Sequence, residues 1–332
     1  MKKFMSKIIF LILSLMLSVN VMGAKAKVLK ISTTLPESHP SAQALEYFAK
    51  KVNEESKGTL NVKVFGNSQL GGNRDGLEGL LLGSLEMVMV TAGPLSQFVP
   101  SAELVSLPYV FESNEHMHSV LDGKPGEMLA EKMTAKGFVP LFWLDGGSRS
   151  IMNNKKPIQT PEDLEGIKIR VQPSKITIDM ANAMGAIGVA MEQGEVYGAL
   201  EQGVLDGWEN SSITLHSLKL YEVTKYFSET NHLMAPDILL ISKKSFDKLN
   251  DQEKNIIKKV AKEAQSYQRN LWIEEEQKIV ADLKEKGVIF NKIDNLKPFM
   301  ERTSYLSNDF SKKNGPELIA EINKLKSQNL NQ

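Results

Sequence analysis

Thr160-Pro161-Glu162-Asp163-Leu164-Glu165-Gly166-Ile167-Lys168-Ile169-Arg170-Val171-Gln172, then Leu205-Asp206-Gly207-Trp208-Glu209-Asn210 some thirty residues on, is the stretch that decides the fold. Thr160 is a helix cap, Pro161 suits the first turn, and two acids follow. Gly166 ends that short helix. Ile167, Ile169 and Val171 alternate with Lys168, Arg170 and Gln172, which predicts a strand with one apolar face. A helix from Ile176 to Gly185, a second from Gly194 to Gln202, and a returning strand from Leu205 to Glu209 complete the unit. Alternating strands and helices predict an α/β protein with largely parallel sheets.

The same grammar extends outward. Val28–Thr34 reads as a strand, and Ser41–Ser56 as a helix with Ala44, Leu45, Phe48, Ala49 and Val52 on its apolar face. Leu60, Val62 and Val64 alternate with polar residues. Met87–Val90 and Phe138–Trp143 read as short buried strands. Asn250, with Glu253 three residues on, opens one long helical pattern that runs to Lys286. Unbroken, it would be about 50 Å long, enough to brace two domains. Two helices kinked near Trp272 are the alternative.

The amino terminus predicts export. Lys2, Lys3 and Lys7 precede the apolar run Ile8–Val21, and Val21-Met22-Gly23-Ala24 offers small residues for cleavage. The run is short for a membrane anchor, which is the competing reading. The chain has 332 residues, which suggests two domains of about 150 residues each after processing. It has no cysteine, which removes disulfides, thiolate metal sites and a cysteine-linked lipid. Forty basic residues balance forty acidic ones, so nothing points to nucleic acid. No metal and no cofactor is expected. Phosphate loops, serine-hydrolase elbows and zinc-protease motifs are absent from the sequence.

Several residues could bind a ligand. Arg170 and Gln172 share one face near the carboxyl end of a strand, where ligands of open α/β sheets gather. A guanidinium fork there matches a carboxylate, and an ordinary salt bridge is the bland alternative. Arg149 follows Gly146-Gly147-Ser148, a stretch suited to a chain crossing between domains. Asn210 ends a strand and could donate and accept, or merely cap a helix. Trp208 beside it could wall a pocket. Glu37 and His39 flank the entrance of the first helix. His116 and His118 read as surface residues, and His216 and His232 sit in no motif.

Taken together, Ile167–Gln172, Gly194–Asn210, Asn67-Ser68-Gln69-Leu70-Gly71-Gly72 and Leu107-Pro108-Tyr109-Val110-Phe111 resemble the periplasmic substrate-binding subunits of TRAP (tripartite ATP-independent periplasmic) transporters, the DctP-like family. The resemblance implies a two-lobed periplasmic-binding-protein fold with hinge strands and a long helix spanning both lobes. It implies a signal peptide over 1–23, a first lobe from 24–147 and 236–272, and a second from 148–235 and 273–332. It assigns Arg170 and Arg149 to a substrate carboxylate, with Asn210 orienting it.

Gln193 stands where many members carry an aromatic residue, which suits a hydroxylated ligand. Asn73 stands near a position that is acidic in many members. Asp237, in Met234-Ala235-Pro236-Asp237, lies in a segment similar to that of members taking sugar acids such as uronates. The expected partners are a small organic acid and the small and large membrane permease subunits. The expected state is a periplasmic monomer. The alternative is a periplasmic lyase or isomerase acting on sugar acids, with Glu37, His39 or Glu209 as its base; a ligand-sensing module is a third reading.

Overall fold

The computed structural model describes residues 26–329, so the expected export signal at 1–23 lies outside the described residues. The strands are β1 (Lys27–Ser32), β2 (Leu60–Phe65), β3 (Met87–Thr91), β4 (Phe138–Leu144), β5 (Ser148–Asn153), β6 (Lys168–Val171), β7 (Ile187–Ala190), β8 (Gly207–Asn210), β9 (Tyr226–Met234), β10 (Asp237–Ser242) and β11 (Ile289–Lys292). They form two sheets, in the orders β2-β1-β3-β10-β4 and β11-β9-β5-β8-β6-β7. Helices cover each sheet, and the result is a two-lobed α/β fold. Among the described residues no helix is long and apolar enough to cross a membrane.

The sheets are largely parallel, as expected, but each holds one reversed strand. β10 runs antiparallel to β3 and β4, and β5 runs antiparallel to β8 and β9. The cause is the crossing between lobes. The chain leaves β4 through Asp145-Gly146-Gly147 and continues into the second sheet as β5. It leaves β9 through Ala235-Pro236 and continues into the first sheet as β10. A strand that enters a sheet from outside, without a crossover helix to turn it round, arrives pointing against its neighbours.

The two crossings pass so closely that side chains are excluded. A Cβ on Gly146 would stand 2.0 Å from the Ala235 carbonyl oxygen. Gly147 has φ +72°, and its Cβ would meet the Trp272 ring at 2.6 Å.

The long helix is continuous over Asp251–Glu285, 35 residues, with Asn250 and Glu253 forming the reciprocal cap. Ile257, Val260, Ala261 and Ala264 pack into the core beneath the first sheet. Trp272, Ile279 and Leu283 pack into the core of the second.

The last two helices depart from the expected lobe boundaries. β11 pairs with β9 in the second sheet, but the helices Tyr305–Asn314 and Glu317–Asn329 return to the first lobe. Leu318 and Ile322 share a core with Met117, Val120 and Met133 of that lobe's helices. These amphipathic helices have one apolar stripe each and bury it on the nearest helical layer. His116, read as a surface residue, lies beneath this layer: it is 1% exposed and its Nε2 is 3.4 Å from the Ile322 carbonyl oxygen.

Gly146→Ala should therefore destabilise the fold, because both neighbours of the intruding methyl are backbone. An overpacking cost of about 1–3 kcal/mol is expected, measured as a shift of the urea midpoint at unchanged slope.

Candidate functional site

The carboxyl ends of β1, β3, β6 and β8 face one another across the gap between the lobes, and the crossings bring the first residues of β5 and β10 to the same place. The cavity there is lined by Arg170, Arg149, Asn210, Gln172, Gln193, Asn73, His39 and Asp237, together with Thr34, Thr91 and Thr214. The lobes touch around it. Gln97 of the first lobe donates its amide to the Pro173 carbonyl of the second. Glu192 of the second lobe packs so close to Gly72 of the first that a Cβ on Gly72 would stand 2.8 Å from the carboxyl.

Arg170 sits mid-sheet, between Val189 of β7 and Trp208 of β8, and is 1% exposed. Its Nε donates to the Met191 carbonyl at 2.8 Å, and its Nη1 to Gln193 Oε1 at 3.2 Å. Gln193 therefore orients the guanidinium as well as lining the cavity. The Nη2 edge has no acceptor among the described residues, and no carboxylate lies within ion-pair distance. Burial pulls the Arg170 pKa down to about 10, in spite of the distant Glu209. It is still a cation at neutral pH, desolvated and without a counter-ion.

Arg149 is different. Its Nε and Nη2 grip the Glu209 carboxylate at 2.5 and 2.7 Å, and Nη2 also donates to the Glu209 carbonyl at 2.8 Å. The expected pair of bare arginines is thus one bare arginine and one already matched by the chain's own acid. Burial raises the Glu209 pKa, but Arg149 and His232 outweigh it and hold the carboxyl down to about 2. His232 Nε2 stands 3.4 Å from Glu209 Oε2 without a hydrogen bond of good geometry, while its Nδ1 contacts Thr230 Oγ1 at 2.8 Å. Only the Nη1 group of Arg149 is left for anything else.

The polar remainder of the cavity is legible in detail. Asn210 Oδ1 accepts from the Ser211 N–H at 2.8 Å, so the amide NH2 is its free end. The cap of the following helix is Ser211, not Asn210. His39 accepts from the Ser41 N–H through Nδ1 at 3.1 Å, capping the first helix, and its Nε2 reaches Thr214 Oγ1 of the other lobe at 3.3 Å. Burial pushes its pKa down to about 3, so it is neutral. Asp237 accepts from Thr91 Oγ1 at 2.7 Å. Burial pushes its carboxyl up to about 6, against the pull of Thr91 and Arg149.

Two expected residues lie elsewhere. Trp208 is fully buried with Trp272, Phe227 and Ile213 in the second core. It shares a strand face with Asn210, but two residues of rise, roughly 7 Å, separate the strand end from the core. Glu37 is exposed, because the turn closed by the His39 N–H to the Pro36 carbonyl directs it outward. The nominated bases of an enzyme fail with it. Glu37 is outside the cavity, His39 is a neutral cap, and Glu209 is held ionised by Arg149. Thr91, Thr214 and the Glu209 partnership were not anticipated; the strand-end rule that singled out Arg170 also covers Thr91.

Glu209→Gln should cost about 3–5 kcal/mol at pH 7, since it leaves Arg149 buried without its counter-charge. The depressed carboxyl pKa makes this stabilisation present above pH 4.5 and lost as pH falls toward 2, so the gap to the parent should close on acidification. Asp237 has the opposite sign. Its stabilising protonation is complete below pH 3.8 and lost as pH rises through about 6. Asp237→Asn should therefore gain about 1–2 kcal/mol on the parent between pH 5 and pH 8, measured by urea unfolding at each pH.

The family described as bacterial extracellular solute-binding protein, family 7 (DctP) matches residues 31–313. A solute-binding protein of Chromohalobacter salexigens is 35% identical over 85% of this chain and 84% of its own length. The C4-dicarboxylate-binding periplasmic protein DctP of Rhodobacter capsulatus is 33% identical over 83% of this chain and 82% of its own. Among solved structures, a TRAP periplasmic solute-binding protein from Sulfitobacter sp. NAS-14.1 with bound β-D-galacturonate superimposes with a TM-score of 0.86. It is 35% identical and covers 91% of this chain and 100% of its own. The match over most of the chain and the close superposition on a solved binding protein make the relatives solute-binding proteins of transporters rather than enzymes, and the chain belongs to the bacterial extracellular solute-binding protein family 7, the binding subunits of TRAP transporters.

Proposed function

We propose that this chain captures a sugar acid, a uronate in the first place, in the cleft between its lobes and delivers it to the small and large membrane subunits of a TRAP transporter. The observation that carries the reading is Arg170: a buried guanidinium with one hydrogen-bonding edge unspent and no acid of the protein against it. A buried charge without a partner is costly, and a ligand carboxylate relieves that cost with two parallel charge-assisted bonds. Arg149 Nη1 and the Asn210 amide stand at the same cavity as further donors. The rest of the polar lining (Thr34, Asn73, Gln172, Thr91 and Asp237) suits hydroxyl groups better than a hydrocarbon chain. The galacturonate in the Sulfitobacter structure is a molecule of this kind.

The two sheets are the centres of two lobes that open to admit the ligand and close on it, with 26–147 and 236–272 in one and 148–235 and 273–303 in the other. The last two helices travel with the first lobe. Closure removes water from the Arg170 edge, and the lower effective dielectric strengthens the bonds to the carboxylate. The loaded protein is then closed more of the time than the free one, by as much as its ligand prefers that state. The permease distinguishes the two by shape. The chain reaches its compartment by a signal peptide cleaved near Gly23 and works as a monomer.

Arg170→Ala should weaken galacturonate binding by about 100-fold or more, the equivalent of the 3–5 kcal/mol lost with one partner of a buried pair. Isothermal titration of the mature chain measures it. Retention of affinity within about threefold, well under 1.4 kcal/mol, would remove Arg170 from the ligand site.

A further inference from the structure

We propose that Asp237 sets the charge of the acceptable ligand: the cavity takes an acid with one carboxylate and a hydroxylated far end, and refuses an acid of the same length with a carboxylate at both ends. This rests on the sugar-acid reading above and sharpens it.

The argument begins with the charges that line the cavity. Arg149 and Glu209 cancel each other through a two-point ion pair. His39 is neutral, with Nδ1 occupied by the Ser41 N–H. That leaves Arg170 as the cation of the lining with no acid of the protein paired to it, and Asp237 as the acid of the lining. They occupy different parts of the site. Arg170 is held by the loop after β7, in the second lobe. Asp237 opens β10 in the first lobe, beside Thr91 of β3 and Leu144 of β4. The cation that acts on Asp237 is Arg149, and the acids that act on Arg170 are Glu209, Glu192 and Glu195. A ligand whose carboxylate lies on Arg170 therefore has its other end free to approach Asp237.

Asp237 is 7% exposed, and only one of its oxygens has a protein donor, the Thr91 hydroxyl. The other is an acceptor without a partner among the described residues, on a residue that lines the cavity. The groups around it are the Thr91 hydroxyl from β3, apolar Leu144 from β4 and Arg149 from β5. His39 and Arg170 lie further along the cavity lining. A ligand hydroxyl can donate to that oxygen. A second ligand carboxylate cannot, and it brings a like charge into a desolvated space where repulsion weakens binding by about 100-fold or more. This is discrimination by a repulsive element built against the wrong ligand. It matters in a family where the Rhodobacter capsulatus relative is a C4-dicarboxylate-binding protein.

D-Galacturonate closes a hemiacetal ring through C1, whereas galactarate is open-chain with a second carboxylate there; that difference in shape is common to the parent and Asp237→Asn, so the change in preference between the two proteins isolates the charge. The mature chain and Asp237→Asn are titrated with both, at pH 7.5 and pH 5, after thermal unfolding has shown both proteins folded. The parent should prefer galacturonate by at least about 100-fold at pH 7.5. Asp237→Asn should reduce that preference by about tenfold or more, chiefly through tighter galactarate binding. Galactarate affinity of the parent should rise from pH 7.5 to pH 5, where both ligand carboxylates stay ionised, and that of Asp237→Asn should stay flat. Asp237→Glu should keep the preference. A parent that binds both acids alike, or an Asp237→Asn ratio within about threefold of the parent's, under 1.4 kcal/mol, overturns the proposal. A folded parent that binds neither acid overturns the sugar-acid reading beneath it, and the charge rule with it.

Discussion

A single desolvated guanidinium organises this molecule. Arg170 is placed in the interior of a sheet, where no side chain of its charge would settle without cause. Its Nε is satisfied by the Met191 carbonyl and its Nη1 by Gln193, which fixes the plane of the fork and leaves its remaining edge without an acceptor among the described residues, at a cavity the residue lines. The protein offers it no carboxylate. Arg149, a few residues from the hinge and equally buried, shows what the ordinary solution looks like: a two-point pair with Glu209 and a backbone carbonyl besides. One arginine is finished within the fold and the other is not, and that asymmetry is the ground for the proposal that the cleft receives an anion.

The topology explains why the chemistry collects where it does. In each sheet the strand that runs against its neighbours is the one that has just crossed from the other lobe. Its first residues therefore lie at the edge where the parallel strands end. Arg149 is the second residue of β5 and Asp237 the first of β10. The crossings are thus both hinge and delivery route: the residues nearest the pivot are also residues of the cavity. The glycines at 146 and 147 allow this by letting two backbone segments and the Trp272 ring come within contact distance.

Much of this was legible in the residues. Arg170 was found because the alternation of Ile167, Ile169 and Val171 marks both the strand and its polar face, and Gln172 and Pro173 mark its end. The brace helix was found because its cap and its apolar stripe are local. What stayed hidden depends on strand order. The Arg149–Glu209 pair joins β5 to β8, and nothing in either segment tells that they are neighbours. β9 is not legible as a strand because Ser228, Thr230 and His232 are buried polar groups that break the apolar alternation. The sequence does not place Trp208 in the core rather than the cavity, because face is periodic while depth along a strand is not.

The helix Asp251–Glu285 has one half sealed in each core. Such a rod behaves as a beam clamped at both ends. In the opening proposed above, the span between Ala264 and Trp272 must flex, and its hydrogen bonds lengthen on the convex side. The swing is therefore loaded by a restoring force that grows with angle, independent of cargo. Grip on the solute and the stiffness of this one element together set how far the jaws part at rest.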